Sequence, residues 1–517
     1  MSLLKSAFTV SALTLVSRLF GYVRDIFIAS ILGAGILADT FLVAYRLPNF
    51  FRQISAEGAV NNAFVPLFSS KIVSETKEAA DDFASQVCMW LFVILLVLTG
   101  LMIVCMPQVM RVLAYGFSDN PEKMALTITF GRIVFPYLLL ISMVSLFSGM
   151  LQSVGKFASA AVTPIILNIC MVASIVIGGY YTSIPAHMLC FGVVVAGIIQ
   201  LSFLWYEVRR AGIHLRFVRP RLNDTIRLLF RRMLPGMIGG GVTQLNLWVN
   251  TIVATTLAGA VSYLYYADRV VQFPLALIGT AIGVALLPTL SRSLKAGQTE
   301  DAIDIQNRAL ELALLLTVPA AVGLFLISDG LIEGMFERGK FGMDATVATA
   351  AALRIYAIGL PAFVMIKIFL PSYFAAGDTK TPVKIAMGCL ALNVLLSVTL
   401  KYSLGHIGLA IATSASAWLN TVLLMTGLIR LKRYAIDDAL TRAVIKIMAA
   451  SLAMVVTIVG ARHLIMPAFQ RSMALDAHHY IFVELGLLVL MGGAVYLCIT
   501  AATGGLSVMR VLWKRAA

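Results

Sequence analysis

The sequence predicts an all-α polytopic membrane protein of fourteen transmembrane helices, and three observations carry that prediction. Of the 517 residues, 60% are apolar and 13% are charged, against roughly 25% charged in a soluble domain. Mean hydropathy is +0.91, which excludes a water-soluble fold. Apolar stretches also recur along the whole chain. At about 20 apolar residues per span and roughly 15 per connection, the length holds about 14 spans and leaves no room for a separate soluble catalytic domain.

In chain order, the stretches bounded by charges or turn residues cover 6–32, 37–66, 83–107, 126–152, 158–180, 184–206, 234–257, 262–290, 309–328, 346–374, 381–400, 406–429, 441–465 and 479–505. The first is interrupted by Arg18, Arg24 and Asp25 and is followed by no small-residue cleavage site, so a cleaved signal peptide is not expected. Pro48 is expected to kink the second. An even number of spans puts both termini on one side. Alternate connections carry Lys and Arg in a ratio of roughly 24 to 7, which assigns the termini and the basic stretch 207–233 to the cytoplasm. The net charge of +15 is then explained by loops facing anionic lipid rather than by nucleic acid.

Three marks recur at a near-constant offset: Val65-Pro66-Leu67 with Leu287-Pro288-Thr289, Phe135-Pro136 with Leu360-Pro361, and Pro164 before Asn168 with Pro382 before Asn393. Six spans separate each pair. The spacing predicts two parallel six-helix lobes, 1–206 and 234–430, joined by the basic connection 207–233, with 431–517 supplying two further helices and a cytoplasmic C-terminus.

Charges inside spans are costly, about 2.5 to 3.5 kcal/mol for a central Arg, Lys or Asp, and therefore mark a cavity or a partner. Arg18 and Asp25 share one helix face with Gly21 and Arg24 beside them, and Asp39, Arg46, Asn49 and Arg52 form a second stripe, with Glu57 beyond it. Ser262, Arg269 and Gln272 share a side of the eighth span, next to Asp268. Arg132, Arg354, Lys367 and Glu484 complete the set, and for Arg46, Arg132, Arg354 and Lys367 a neighbouring carboxylate or a headgroup is an equal explanation. A cavity that gathers guanidinium forks suits phosphate or carboxylate, so the expected cargo is anionic. No cofactor or metal is expected. The cysteines (Cys88, Cys105, Cys170, Cys190, Cys389, Cys498) stand singly, and the histidines are scattered apart from His478-His479. Neither H-E-x-x-H nor G-x-x-x-x-G-K-[ST] occurs, which argues against an enzyme.

Several motifs together carry a resemblance. Ser17-Arg18-Leu19-Phe20-Gly21-Tyr22-Val23-Arg24-Asp25, Ala38-Asp39-Thr40-Phe41, Arg46-Leu47-Pro48-Asn49-Phe50-Phe51-Arg52, Ala56-Glu57-Gly58-Ala59 and Ala63-Phe64-Val65-Pro66 resemble the N-terminal signature of the MurJ (MviN) lipid II flippases. Tyr265-Tyr266-Ala267-Asp268-Arg269 and Lys380-Thr381-Pro382-Val383-Lys384 resemble the signatures of their second half. The resemblance implies the multidrug/oligosaccharidyl-lipid/polysaccharide exporter fold, with two lobes about a central cavity and the last two spans lining a groove for a lipid tail. It further implies that Arg18, Arg24, Arg52 and Arg269 serve a diphosphate and headgroup, that Asp39 is an essential acidic position, and that Ser262 lines the cavity. Asn49, Glu57, Asp268 and Gln272 are secondary candidates. Gln272 departs from relatives that carry glutamate. The expected partners are lipid II, bilayer lipids and the cell-wall synthesis machinery, with a monomer as the functional unit in the inner membrane. The energy source is left open between a coupling ion and the membrane potential. Competing readings are a flippase for another polyprenyl-diphosphate oligosaccharide and, further off, a cation-coupled drug exporter.

Overall fold

A computed structural model describes residues 3–53, 61–466 and 477–505. Among the described residues the regular secondary structure is helical, apart from one isolated antiparallel bridge between Arg338 and Phe341. Nine of the described helices are long and apolar enough to cross a membrane.

The contacts divide the chain into two compact units, one formed by residues up to Ser262 with Arg338–Phe341 and the other by Tyr263–Glu337 with Gly342 onward. Unit 1 contains α1 (Leu3–Leu32), α2 (Ile36–Arg52), α3 (Asn61–Ser74), α4 (Lys77–Val104), α5 (Met106–Leu113), α6 (Pro121–Val134), α7 (Tyr137–Ser153), α8 (Phe157–Tyr181), α9 (Pro185–Arg210) and α10 (Asp224–Thr255). Side-chain oxygens start several of them. Thr76 caps α4, Asn120 caps α6 and Asn223 caps α10, each accepting the N–H of the residue three positions on. Within the unit, α8 packs between α1 and α9, and α2 packs on α6. The contacts group α10 with unit 1. Phe50 and Phe51 of α2 meet Trp248 and Phe135 edge-on at 5.9 and 5.8 Å, so α2 is held from both sides. The short segment Arg338–Phe341 belongs to unit 1 because the Lys340 N–H donates to the Ser30 carbonyl at 2.7 Å.

Unit 2 takes most of α11 (Ala260–Pro274), then a π-helical turn Leu275–Thr280, α12 (Ala281–Lys295), α13 (Thr299–Leu326), α14 (Ser328–Phe336), α15 (Met343–Ala375), α16 (Lys380–Arg430), α17 (Asp438–Gly460) and α18 (Ala477–Ala502). Two spans differ from a plain hydrophobic reading. The stretch 37–66 divides into α2 and α3, and 262–290 is divided by the π-helical turn that follows Pro274. Pro48 lies inside α2, which continues to Arg52. Between 400 and 406, α16 turns at Gly405, whose φ of 57° and ψ of −134° suit glycine because a Cβ would collide with the backbone there. The last two helices pack on α13. Leu315, Ile447, Met454, Ile458 and Leu488 form a common core, and the Tyr496 hydroxyl donates to the Leu315 carbonyl at 2.6 Å.

Candidate functional site

Arg18 and Arg24 lie six residues apart on α1 and meet opposite environments. Arg18, midway along a 30-residue apolar helix, is exposed and has no hydrogen bond or ion pair among the described residues. Its neighbours Leu15 and Leu19 are 51% and 55% exposed. Arg24 is buried. Its Nε and Nη2 donate to Asp25 Oδ1 at 2.9 and 2.7 Å, and its Nη1 donates to Asn168 Oδ1 at 3.0 Å. The Asn168 amide donates in turn to the Ser17 carbonyl at 3.1 Å, so one residue of α8 holds both ends of the Ser17–Asp25 motif.

Asp39 is fully buried. One oxygen accepts from Lys123 Nζ at 2.8 Å, and the other accepts from the Ser262 N–H at 3.1 Å and the Ser262 hydroxyl at 2.6 Å. Ser262 stands in the first turn of α11, where unpaired N–H groups and the helix dipole favour a carboxylate. Lys123 also lies 4.0 Å from the centroid of the Phe117 ring. The node joins α2, α6 and the start of α11, and in this conformation neither Asp39 nor Ser262 has exposed surface.

Further along α2 the polar stripe opens. Arg46 donates to the Thr251 hydroxyl of α10. Asn49 donates to the Tyr45 carbonyl at 3.0 Å, which presents its Oδ1 to Arg52 Nε at 3.3 Å. Arg52 is half-buried, and Asn49 thereby sets its direction. Glu57 lies outside the described residues.

In unit 2, the Arg269 guanidinium stacks 4.7 Å from the Tyr265 ring, while Tyr266 is buried against Phe336 with ring centroids 5.1 Å apart. Asp268 is half-buried and accepts from the exposed Gln272 at 3.3 Å. The helix face that begins at buried Ser262 is thus open by Gln272. The Lys380–Lys384 signature starts α16. There Asp378 accepts the N–H groups of Thr381 and Lys380 at 3.0 and 3.1 Å, and these bonds hold its carboxyl below the usual carboxylate range.

Other intramembrane charges have structural partners. Arg354 pairs with Asp329 of α14, and Arg132 donates to the Ile103 carbonyl at the end of α4 at 3.2 Å. Two site residues are hard to read from sequence. Lys123, three residues past the cap Asn120, looks like a loop charge, and Asn168 is visible only as a polar residue after Pro164 in an apolar span. An apolar cavity of about 540 Å³ lies within unit 2, walled by α13, α15, α16 and α17 through residues such as Val318, Pro361, Trp418 and Met448.

A family model described as lipid II flippase MurJ matches residues 28–479. The chain is 40% identical over 524 residues to a probable lipid II flippase MurJ of Rhizobium meliloti, covering 100% of this chain and 97% of the relative. It is 33% identical over 460 residues to the lipid II flippase MurJ of Burkholderia cenocepacia, covering 87% and 89%. Among solved structures it is similar to a lipid II flippase MurJ in an inward closed conformation, with a TM-score of 0.78, 25% identity, and 96% and 98% of the two chains covered. An inward-facing multidrug MATE transporter shares the fold at a TM-score of 0.68 and 15% identity, over 84% of this chain and 99% of that one.

Proposed function

The chain belongs to the MurJ family of lipid II flippases, and we propose that it moves lipid II, the undecaprenyl-diphosphate-linked precursor of peptidoglycan, across the inner membrane by alternating access. The observation that carries this reading is Arg18, a guanidinium without a partner among the described residues at the middle of an apolar helix. Such a group is stable where water or an anion reaches it, and its planar fork accommodates two phosphate oxygens at once.

The arginines then divide by role. In unit 2 Arg269, supported by Tyr265, offers an anionic headgroup a guanidinium; in unit 1 Arg18 and Arg52 contact the diphosphate, with Asn49 aiming Arg52. Arg24, immobilised by Asp25 and Asn168, adds fixed positive potential beside them. Asp39 and Ser262 act by positioning α2 and α11. Asp268 and Gln272 border Arg269. The isoprenoid tail lies along the apolar cavity of unit 2, to which α17 contributes Val444, Ile447 and Met448. Both termini and the 207–233 connection face the cytoplasm. A monomer suffices, in contact with the cell-wall machinery and without a cofactor. A charge crossing the full potential gains about 2.3 kcal/mol per 100 mV, enough to bias the cycle.

Depletion of the protein tests the cargo. Lipid II is expected to accumulate in the inner leaflet, and its export is expected to return when the chain is re-expressed. Accumulation of a different polyprenyl-diphosphate oligosaccharide, with lipid II exported normally, overturns the assignment.

A further inference from the structure

The connection between α9 and α10 is not helical, yet it is laid along about two and a half turns of α4. Asp81, Ser85 and Gln86 accept the backbone N–H groups of His214, Arg216 and Arg221 at 3.2, 3.0 and 2.9 Å, and the Trp90 indole donates to the Arg221 carbonyl at 3.2 Å. Four backbone groups of this strap are therefore satisfied by α4, while Ile213 is buried beneath it. Arg216, Arg219 and Arg221 are exposed, as are Arg209 and Arg210 at the end of α9. Phe217, in their midst, is 87% exposed.

An apolar slot of about 400 Å³ opens beside the strap, between α4, α7 and α9. Its lining runs from Leu139 to Phe147 along α7, about 12 Å at 1.5 Å per residue. Trp205 and Phe217 line the end nearest the strap, and the Arg209 guanidinium stacks 4.9 Å from the Trp205 ring. One aromatic residue thus serves as a wall of the slot and as a platform for a cation. A peptide would strand its backbone groups in walls whose sole hydroxyl is that of Ser202, and a free anion would leave the slot unused. An apolar chain joined to an anionic head satisfies both halves.

We propose that this slot binds one anionic phospholipid, with an acyl chain between α4, α7 and α9 and its phosphate on Arg209 and Arg216. The site is built within unit 1 and is independent of the cargo assignment. Native mass spectrometry of the full chain tests it, with phosphatidylglycerol and phosphatidylcholine as probes. The parental protein is expected to retain one phosphatidylglycerol in preference to phosphatidylcholine. Arg209→Gln with Arg216→Gln should weaken that retention by roughly fivefold per arginine, while Arg430→Gln, an exposed arginine of unit 2, should leave it unchanged. Ser202→Trp, which fills the slot, and Phe217→Ala, which removes a wall without touching a helix, should each lose both lipids. Equal retention of the two lipids by the parental protein overturns the proposal, as does unchanged retention in the double arginine variant or in both slot variants. A soluble protein captured on the strap in place of lipid also overturns it.

Discussion

The carboxylate of Asp39, with none of its surface exposed, holds Lys123 Nζ at 2.8 Å across 84 residues of sequence. Removing one member of such a pair leaves a buried charge uncompensated, at a cost of about 3–5 kcal/mol, whereas removing both costs much less. Lys123→Met should therefore lower the melting temperature of the purified protein sharply, and Asp39→Leu with Lys123→Met should recover a large part of the loss. A double variant less stable than Lys123→Met argues against the pair as the source of the effect.

Arg18 and Arg24 should separate by stability. Arg24→Ala breaks bonds to Asp25 and Asn168, so it should lower the melting temperature as well as transport. Arg18→Ala breaks none, and its loss of transport should come with parental stability. Asn168→Ala should resemble Arg24→Ala, because it strands the same Nη1 and the Ser17 carbonyl. Thermal unfolding alongside precursor accumulation reads both.

Gly405 provides a test of the turn in α16. Gly405→Ala forces a Cβ into a conformation at φ 57° and ψ −134°, which should cost about 1–3 kcal/mol. Gly388→Ala in the same helix meets open space and should be neutral or slightly stabilising. Equal stability of the two variants contradicts the turn.

Asp378 should matter at neutral pH and not in acid. Its carboxyl is held below the ordinary value by the N–H groups of Thr381 and Lys380, so the folded state binds a proton less readily than the unfolded one. The stabilisation is complete above the unfolded pKa of about 3.9 and disappears as pH falls through the lower folded value. Asp378→Ala should cost on the order of 1 kcal/mol at pH 7, and its melting curve should converge with the parental curve as pH falls through that lowered folded value. A gap that stays constant with pH assigns the effect to packing.

The helical architecture was legible because hydropathy is a property of composition, and the turn at Gly405 was legible because Lys401, Tyr402 and His406 interrupt an apolar run. The π-helical turn at Leu275–Thr280 was not, since its residues continue the apolar pattern while the backbone changes. At the candidate site, sequence located the polar stripes but ranked Arg18 with Arg24. What separates them is Asn168, on a helix 144 residues away. Lys123 reads as a loop charge in the sequence because its carboxylate partner is supplied by a different helix.

The central claim rests most directly on flipping by purified protein in sealed vesicles that carry lipid II in one leaflet. Parental protein should expose the precursor on the opposite face, Arg18→Ala should reduce that rate to the protein-free level at equal incorporation, and Arg18→Lys should restore it in part, since lysine keeps the charge and loses the fork. Translocation at the parental rate by correctly inserted Arg18→Ala would contradict the account.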